Sequence, residues 1–133
     1  MFRLAGKGTR GMGERILLVD DSPDVTRVCA QILGDEGFEV DVAHRGRQAL
    51  SMLKEKGDYD VLIVDFALPD ISGLDLLHSL EQDIPTILIS GYLSENEMET
   101  ISRLEGLAFL RKPFPITALT AAVKRVLREQ KSR

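Results

Sequence analysis

Five short apolar runs at nearly even spacing set the pattern of this chain. They are Arg15–Asp20 (R-I-L-L-V-D), Phe38–Ala43 (F-E-V-D-V-A), Val61–Asp65 (V-L-I-V-D), Thr86–Ser90 (T-I-L-I-S) and Ala108–Arg111 (A-F-L-R). Their apolar cores begin near 16, 39, 61, 86 and 108, in steps of 22–25 residues. The first, third and fourth are continuous apolar stretches, the mark of strands buried on both faces. The second alternates apolar and charged positions, which predicts an edge strand with one wetter side. Between the runs the period changes to that of a helix. Val25, Val28, Cys29, Ile32 and Leu33 fall on one predicted face, with Ser22 as cap and Pro23 in the first turn. A second helix over Arg47–Lys56 is expected to bury Ala49, Leu50 and Leu53, and Gly57 closes it. A third, led by Gly73, places Leu74, Leu77 and Leu80 inside. Ser94–Leu104 carries only a thin stripe of Met98, Ile101 and Leu104. The last, over Ile116–Glu129, buries Leu119, Ala122, Val123, Val126 and Leu127. Five βα units predict an α/β fold: a doubly wound five-stranded parallel sheet with right-handed crossovers and helices on both faces.

Polar residues gather where the strands end. Asp20 and Asp21 follow the first strand, Asp65 ends the third, Ser90 ends the fourth and Lys112 follows the fifth. The second strand ends in Ala43 and offers nothing. With the first and third strands adjacent at the centre, the order is 2-1-3-4-5, and all these groups meet in one crevice at the carboxyl ends. Three carboxylates brought together repel, at roughly 4 kcal/mol per pair for a 4 Å separation and an effective dielectric of ~20. Lys112 offsets part of that charge. A divalent cation would offset the rest, and an all-oxygen pocket suits magnesium rather than zinc. A carboxylate nucleophile, magnesium, an ammonium group and a hydroxyl together make a phosphoryl-acceptor site. Asp65 is the expected acceptor, with Lys112 neutralising charge and Ser90 donating a hydrogen bond to a phosphate oxygen.

Composition narrows the class. The chain has 133 residues, 44% of them hydrophobic and 29% charged, as expected of one globular domain. The expected division is a flexible tail over 1–13, one domain over 14–130 and a short tail over 131–133. A net charge of -4 carries no basic surplus for direct nucleic-acid binding. A single cysteine, Cys29, rules out an internal disulfide and reads as a small core residue. His44 and His78 have no second ligand at zinc spacing. No apolar run approaches the ~18 residues of a membrane span, and no signal-peptide core opens the chain, so a cytoplasmic location is expected. Gly6, Gly8 and Gly11 match G-x-G-x-x-G, but they precede the first strand instead of following it, which is the wrong context for a dinucleotide site.

Four motifs taken together, L-V-D-D at 18–21, D-F-A-L-P-D-I-S-G at 65–73, I-S-G at 89–91 and R-K-P-F at 111–114, resemble the receiver domain of bacterial two-component response regulators. The resemblance runs from about Arg15 to Glu129. It implies that Asp65 is the phosphoacceptor, and that Asp20, Asp21, Asp65 and the Ala67 carbonyl hold magnesium. It further implies that Ser90 follows the phosphoryl group, that Phe109 is the aromatic switch, and that a cis bond joins Lys112 to Pro113. The expected function is a phosphorelay module, not an enzyme. A sensor histidine kinase or histidine phosphotransfer protein would be the donor. The output would be a downstream protein or a self-dimer through helix four, strand five and helix five, since the chain as given leaves no room for an output domain after the last helix. Ala67 and Tyr92, flanking the pocket, bring no charge to guide a water, so slow self-dephosphorylation is expected. The alternative is a magnesium-dependent phosphatase of the haloacid dehalogenase type, also built on a strand-end Asp. Its D-x-D-G-[ST] motif after the first strand is replaced here by D-D-S-P-D.

Overall fold

The computed structural model describes residues 13–80, 83–104 and 106–131. The expected tails therefore lie almost wholly outside the described residues. In chain order the elements are β1 (Arg15–Val19), α1 (Pro23–Asp35), β2 (Glu39–Ala43), α2 (Gly46–Glu55), β3 (Val61–Asp65), α3 (Gly73–His78), β4 (Thr86–Ser90), α4 (Glu95–Ser102), β5 (Leu107–Arg111) and α5 (Ile116–Lys131). All neighbouring strands pair in parallel, in the order β2-β1-β3-β4-β5. This is the expected 2-1-3-4-5 arrangement, with β2 at one edge.

Side chains alternate across a strand with period two, so each buried strand feeds two cores. Ile16, Leu18, Ile63, Ile87 and Ile89 point to one face, where Cys29 and Leu33 of α1 and Leu119 and Val123 of α5 cover them. Leu17, Val19, Leu62, Val64 and Leu88 point to the other, against Ala49 and Leu53 of α2, Leu76 of α3 and Ile101 of α4. Each fully buried Leu or Ile contributes roughly 1.5–3 kcal/mol relative to exposure. Helix starts are fixed by side-chain oxygens: Ser22 accepts from the Val25 amide, Ser72 from Asp75 and Ser94 from Glu97. In α4 the Glu97 side chain returns the bond to Ser94, completing a capping box.

Several expected core positions move. Val28 is 48% exposed and borders an open apolar groove of about 650 Å³ with Ile32, Phe114 and Ile116. Thr26 takes a buried place on α1 instead, because its hydroxyl donates to the Pro23 carbonyl at 3.0 Å and so enters the core satisfied. In α3 the fully buried residue is Leu76, while Leu74, Leu77 and Leu80 are half-buried. Met98 is exposed, leaving Ile101 as the buried anchor of α4. Cys29 is buried and free, as expected.

Candidate functional site

The β1 and β3 strands lie side by side, with Val19 paired to Val64. The acids that end these strands therefore meet. Asp20 is 1% exposed and Asp65 6%, whereas Asp21 stands in solvent. One carboxylate oxygen from each of Asp20, Asp21 and Asp65 lies within 4.8 Å of the other two. Lys112 reaches in from the end of β5. Its Nζ donates to Asp20 Oδ2 at 2.9 Å and to Asp65 Oδ2 at 2.8 Å. The other carboxylate oxygens take backbone amides: the Ser22 N–H donates to Asp20 Oδ1 at 2.9 Å and the Ala67 N–H to Asp65 Oδ1 at 3.0 Å. The Lys112–Pro113 peptide bond is cis.

Burial pushes the Asp65 carboxyl above the usual carboxylate range, aided by the nearby Asp20 charge, while Lys112 and the Ala67 amide pull it back. Burial would lower Lys112, but its bonds to Asp65 and Asp20 prevail and hold it above the ordinary lysine value. The cluster is thus three carboxylates with one ammonium group bonded to two of them, Asp20 and Asp65. With one oxygen of each within 4.8 Å of the others, each carboxylate pair repels by roughly 3 kcal/mol or more at an effective dielectric of ~20. All donors are hard oxygens and the pocket has negative charge in excess, so the residues fit a small divalent cation of the magnesium type.

Ser90 ends β4 at the same rim, and Phe109 stands two residues before the end of β5. The Ser90 hydroxyl donates to the Tyr92 carbonyl at 2.9 Å and accepts from the Tyr92 amide at 3.2 Å. It is engaged in its own turn rather than with Asp65. Phe109, on β5 opposite Leu88, is half-buried against the α2–α3–α4 core. Tyr92 is 76% exposed and Ala67 is exposed. His44 lies on the neighbouring side of β2, its Nε2 3.2 Å from Thr26 Oγ1, and takes no part in the acid cluster.

One residue in this region was not expected from the sequence. Asp70 lies five residues beyond Asp65 and accepts the amides of Gly46, Arg47 and Ile71 at 2.9, 2.9 and 3.0 Å. The signal available in the sequence is indirect: α2 starts after Arg45, which has no capping oxygen of its own.

A parallel doubly wound sheet with an acid triad and a lysine at its carboxyl rim places these groups where such sheets bind their ligands. The family model of the response regulator receiver domain matches residues 16–124, and the chain belongs to that family. It is 37% identical over 116 residues to the transcriptional regulatory protein CpxR of Escherichia coli K12, covering 86% of this chain and 49% of that protein. It is 35% identical over 119 residues to TrcR of Mycobacterium tuberculosis, covering 86% and 45%. The chain thus spans about half the length of these curated relatives. Among solved structures, a CheY-like receiver domain from Methanospirillum hungatei superposes with a TM-score of 0.82 at 31% identity, covering 90% of this chain and 98% of that one. The receiver domain of the hybrid histidine kinase CckA gives 0.73 at 36% identity, covering 85% and 98%. The phosphatase alternative finds no support in the family matched. Among the described residues no helix is long and apolar enough to cross a membrane.

Proposed function

We propose that this domain is a phosphorylation-controlled switch in which Asp65 accepts a phosphoryl group from a histidine kinase or a histidine phosphotransfer protein in the cytoplasm. The observation that carries the reading is the Asp65 carboxylate, nearly buried, bonded to Lys112 and within reach of the Asp20 and Asp21 oxygens. In the transfer an Asp65 oxygen bonds to phosphorus as the donor's phosphorus–nitrogen bond breaks, and the imidazole leaves. Asp20, Asp21, Asp65 and the Ala67 carbonyl would hold magnesium, which when bound offsets the charge of the phosphate oxygens. Lys112 offsets the remainder from the opposite side.

The acyl phosphate adds a charge of about −1.5 to −2 beside Ser90. To bond a phosphate oxygen, the Ser90 hydroxyl must leave the Tyr92 carbonyl it now meets at 2.9 Å. That movement opens space for Phe109 to turn inward. Phe109 has no hydroxyl, so packing alone holds it in either position. The thin packing of α4, anchored by Ile101, supports a surface of α4, β5 and α5 that reshapes at low cost and meets a downstream partner or a second copy. Neither Ala67 nor Tyr92 brings a charged group to orient an attacking water, so the domain stores the phosphoryl group and does not turn it over as a phosphatase would.

The test is incubation of the purified chain with acetyl phosphate and magnesium. The expected product carries one acid-stable, base-labile phosphoryl group on Asp65, and Asp65→Asn stays folded and unlabelled. Rapid turnover of many phosphate esters, or a label that survives Asp65→Asn, would rule the reading out.

A further inference from the structure

The loop between β3 and α3 is pinched at its base. The Phe66 amide donates to the Ile89 carbonyl at 2.8 Å, and the Gly73 amide returns to the Phe66 carbonyl at 2.7 Å. Gly73 closes so tightly that a methyl group there would stand 2.9 Å from the Asp65 carbonyl oxygen. Ala67 leaves this pinch with its amide on Asp65 Oδ1. The far side of the loop is gripped by α2. Both oxygens of Asp70 take amides from the first turn of that helix, Oδ1 from Gly46 and Oδ2 from Arg47. Beside them Ile71 packs on Gly46 with no room to spare: a methyl group at Gly46 would come within 2.4 Å of Ile71 Cγ1. The Arg47, Gly46 and Ile71 amides hold the Asp70 carboxyl below the usual carboxylate range, so it is ionised at neutral pH.

We infer that Asp70 is a positioning residue: by fastening the β3–α3 loop to the start of α2, it sets where Ala67 presents its backbone to the acid pocket. This rests on the reading above that Ala67 and the three acids hold magnesium. A purely local role is the rival: Asp70 would only cap α2, whose own N-cap, Arg45, makes no side-chain bond. The two differ in what a substitute cap can repair. A cap supplied from within α2 repairs the helix and leaves the loop unfastened.

The experiment is amide NMR of the full chain, giving hydrogen exchange at Ala67 without metal and a magnesium dissociation constant by titration, beside a thermal melt. In Asp70→Ala, exchange at Ala67 is expected to rise and magnesium affinity to fall by about tenfold, as for other groups that orient metal ligands. Asp70→Asn keeps an oxygen for Gly46 and Ile71 but turns an NH2 on the Arg47 amide, so its affinity should fall between wild type and Asp70→Ala. Weaker magnesium binding in Asn and Ala with exchange at Ala67 unchanged would assign the effect to lost charge and overturn the inference. In Arg45→Ser with Asp70→Ala, the serine caps α2 and the melting temperature recovers, while magnesium affinity stays low. Recovery of both would reduce Asp70 to a cap. Gly46→Ala, which wedges the same contact apart from the other side, should weaken magnesium and speed exchange at Ala67, and wild-type values there would count against the clamp. If the wild-type chain itself holds no magnesium, the metal reading and the inference fall together. If it binds and Asp70→Ala binds equally, only the inference falls.

Discussion

Two charged clusters sit on this sheet and use nearly the same residue types to opposite ends. Around the starts of β1 and β3, Asp41 Oδ2 accepts from Arg15 Nη2 at 3.2 Å, Lys56 Nζ at 3.1 Å and the Tyr59 hydroxyl at 2.6 Å. Arg15 also pairs with Asp58 and lies over the Tyr59 ring, 4.7 Å from its centre. Two acids there form ion pairs with two bases, while a third, Asp60, takes the Arg15 backbone amide at 2.8 Å. At the carboxyl rim three acids face one lysine. In the first cluster each ion-paired acid has its own base, the acids are exposed or half-exposed, and the contacts join edge strand β2 to its neighbours. The second carries surplus negative charge in a partly buried place, which costs stability and makes sense as a place for a cation and a phosphoryl group. Charge imbalance, not the presence of acids, separates the site from the scaffold.

The two clusters part most visibly under acid-to-amide substitution. Asp65→Asn is expected to abolish phosphoryl labelling outright, read by intact-protein mass spectrometry after acetyl phosphate. The same change relieves repulsion within the acid cluster, so the metal-free melting temperature at pH 7 should rise. Asp41→Asn should do the reverse, leaving labelling intact and lowering stability by roughly 1 kcal/mol after allowing for solvent screening. Opposite signs in the two melts would support the contrast, and equal signs would erase it.

The two clusters also differ in how their stability depends on pH. The Tyr59 hydroxyl, followed by Lys56 and Arg15, holds the Asp41 carboxyl below its ordinary value despite partial burial. A carboxyl lowered in the folded state stabilises the fold above its unfolded pKa, and the contribution is lost as pH falls through the folded pKa. The Asp41→Asn deficit should therefore be full at neutral pH and fade in strong acid, as read by urea melts at each pH. Tyr59→Phe should cost less, about 1 kcal/mol, through loss of one hydroxyl bond to Asp41. Val28→Ser, at an exposed position of α1, should change stability by no more than about 0.5 kcal/mol and leave labelling untouched.

What could be read from the residues alone follows the same division. Buried parallel strands announce themselves as apolar runs, and a group that ends such a run has its place set by the strand. Asp20, Asp65, Ser90 and Lys112 were legible for that reason, and so was the strand order that brings them together. Contacts between side chains remote in sequence leave no local pattern. Asp70 meets amides more than twenty positions earlier, and Asp41 collects Arg15, Lys56 and Tyr59 from three different segments. At α1 the expected face holds at Val25, Cys29, Ile32 and Leu33 and fails only at Val28, because periodicity counts apolar side chains. Thr26 enters the core by satisfying its hydroxyl locally, and Val28 turns outward. The resting engagement of Ser90 with Tyr92 is a matter of a single hydroxyl's orientation, which residue type does not reveal.

The most direct measurement is the melting temperature as magnesium is raised. A cation that binds only the folded chain stabilises it by about 2.7 kcal/mol at 100-fold over its dissociation constant. Wild type and Asp41→Asn should climb in parallel, and Asp20→Asn combined with Asp21→Asn should stay flat. A wild-type curve that ignores magnesium, or a response lost with Asp41 and kept without the acid pair, would contradict the assignment of the carboxyl rim as the site.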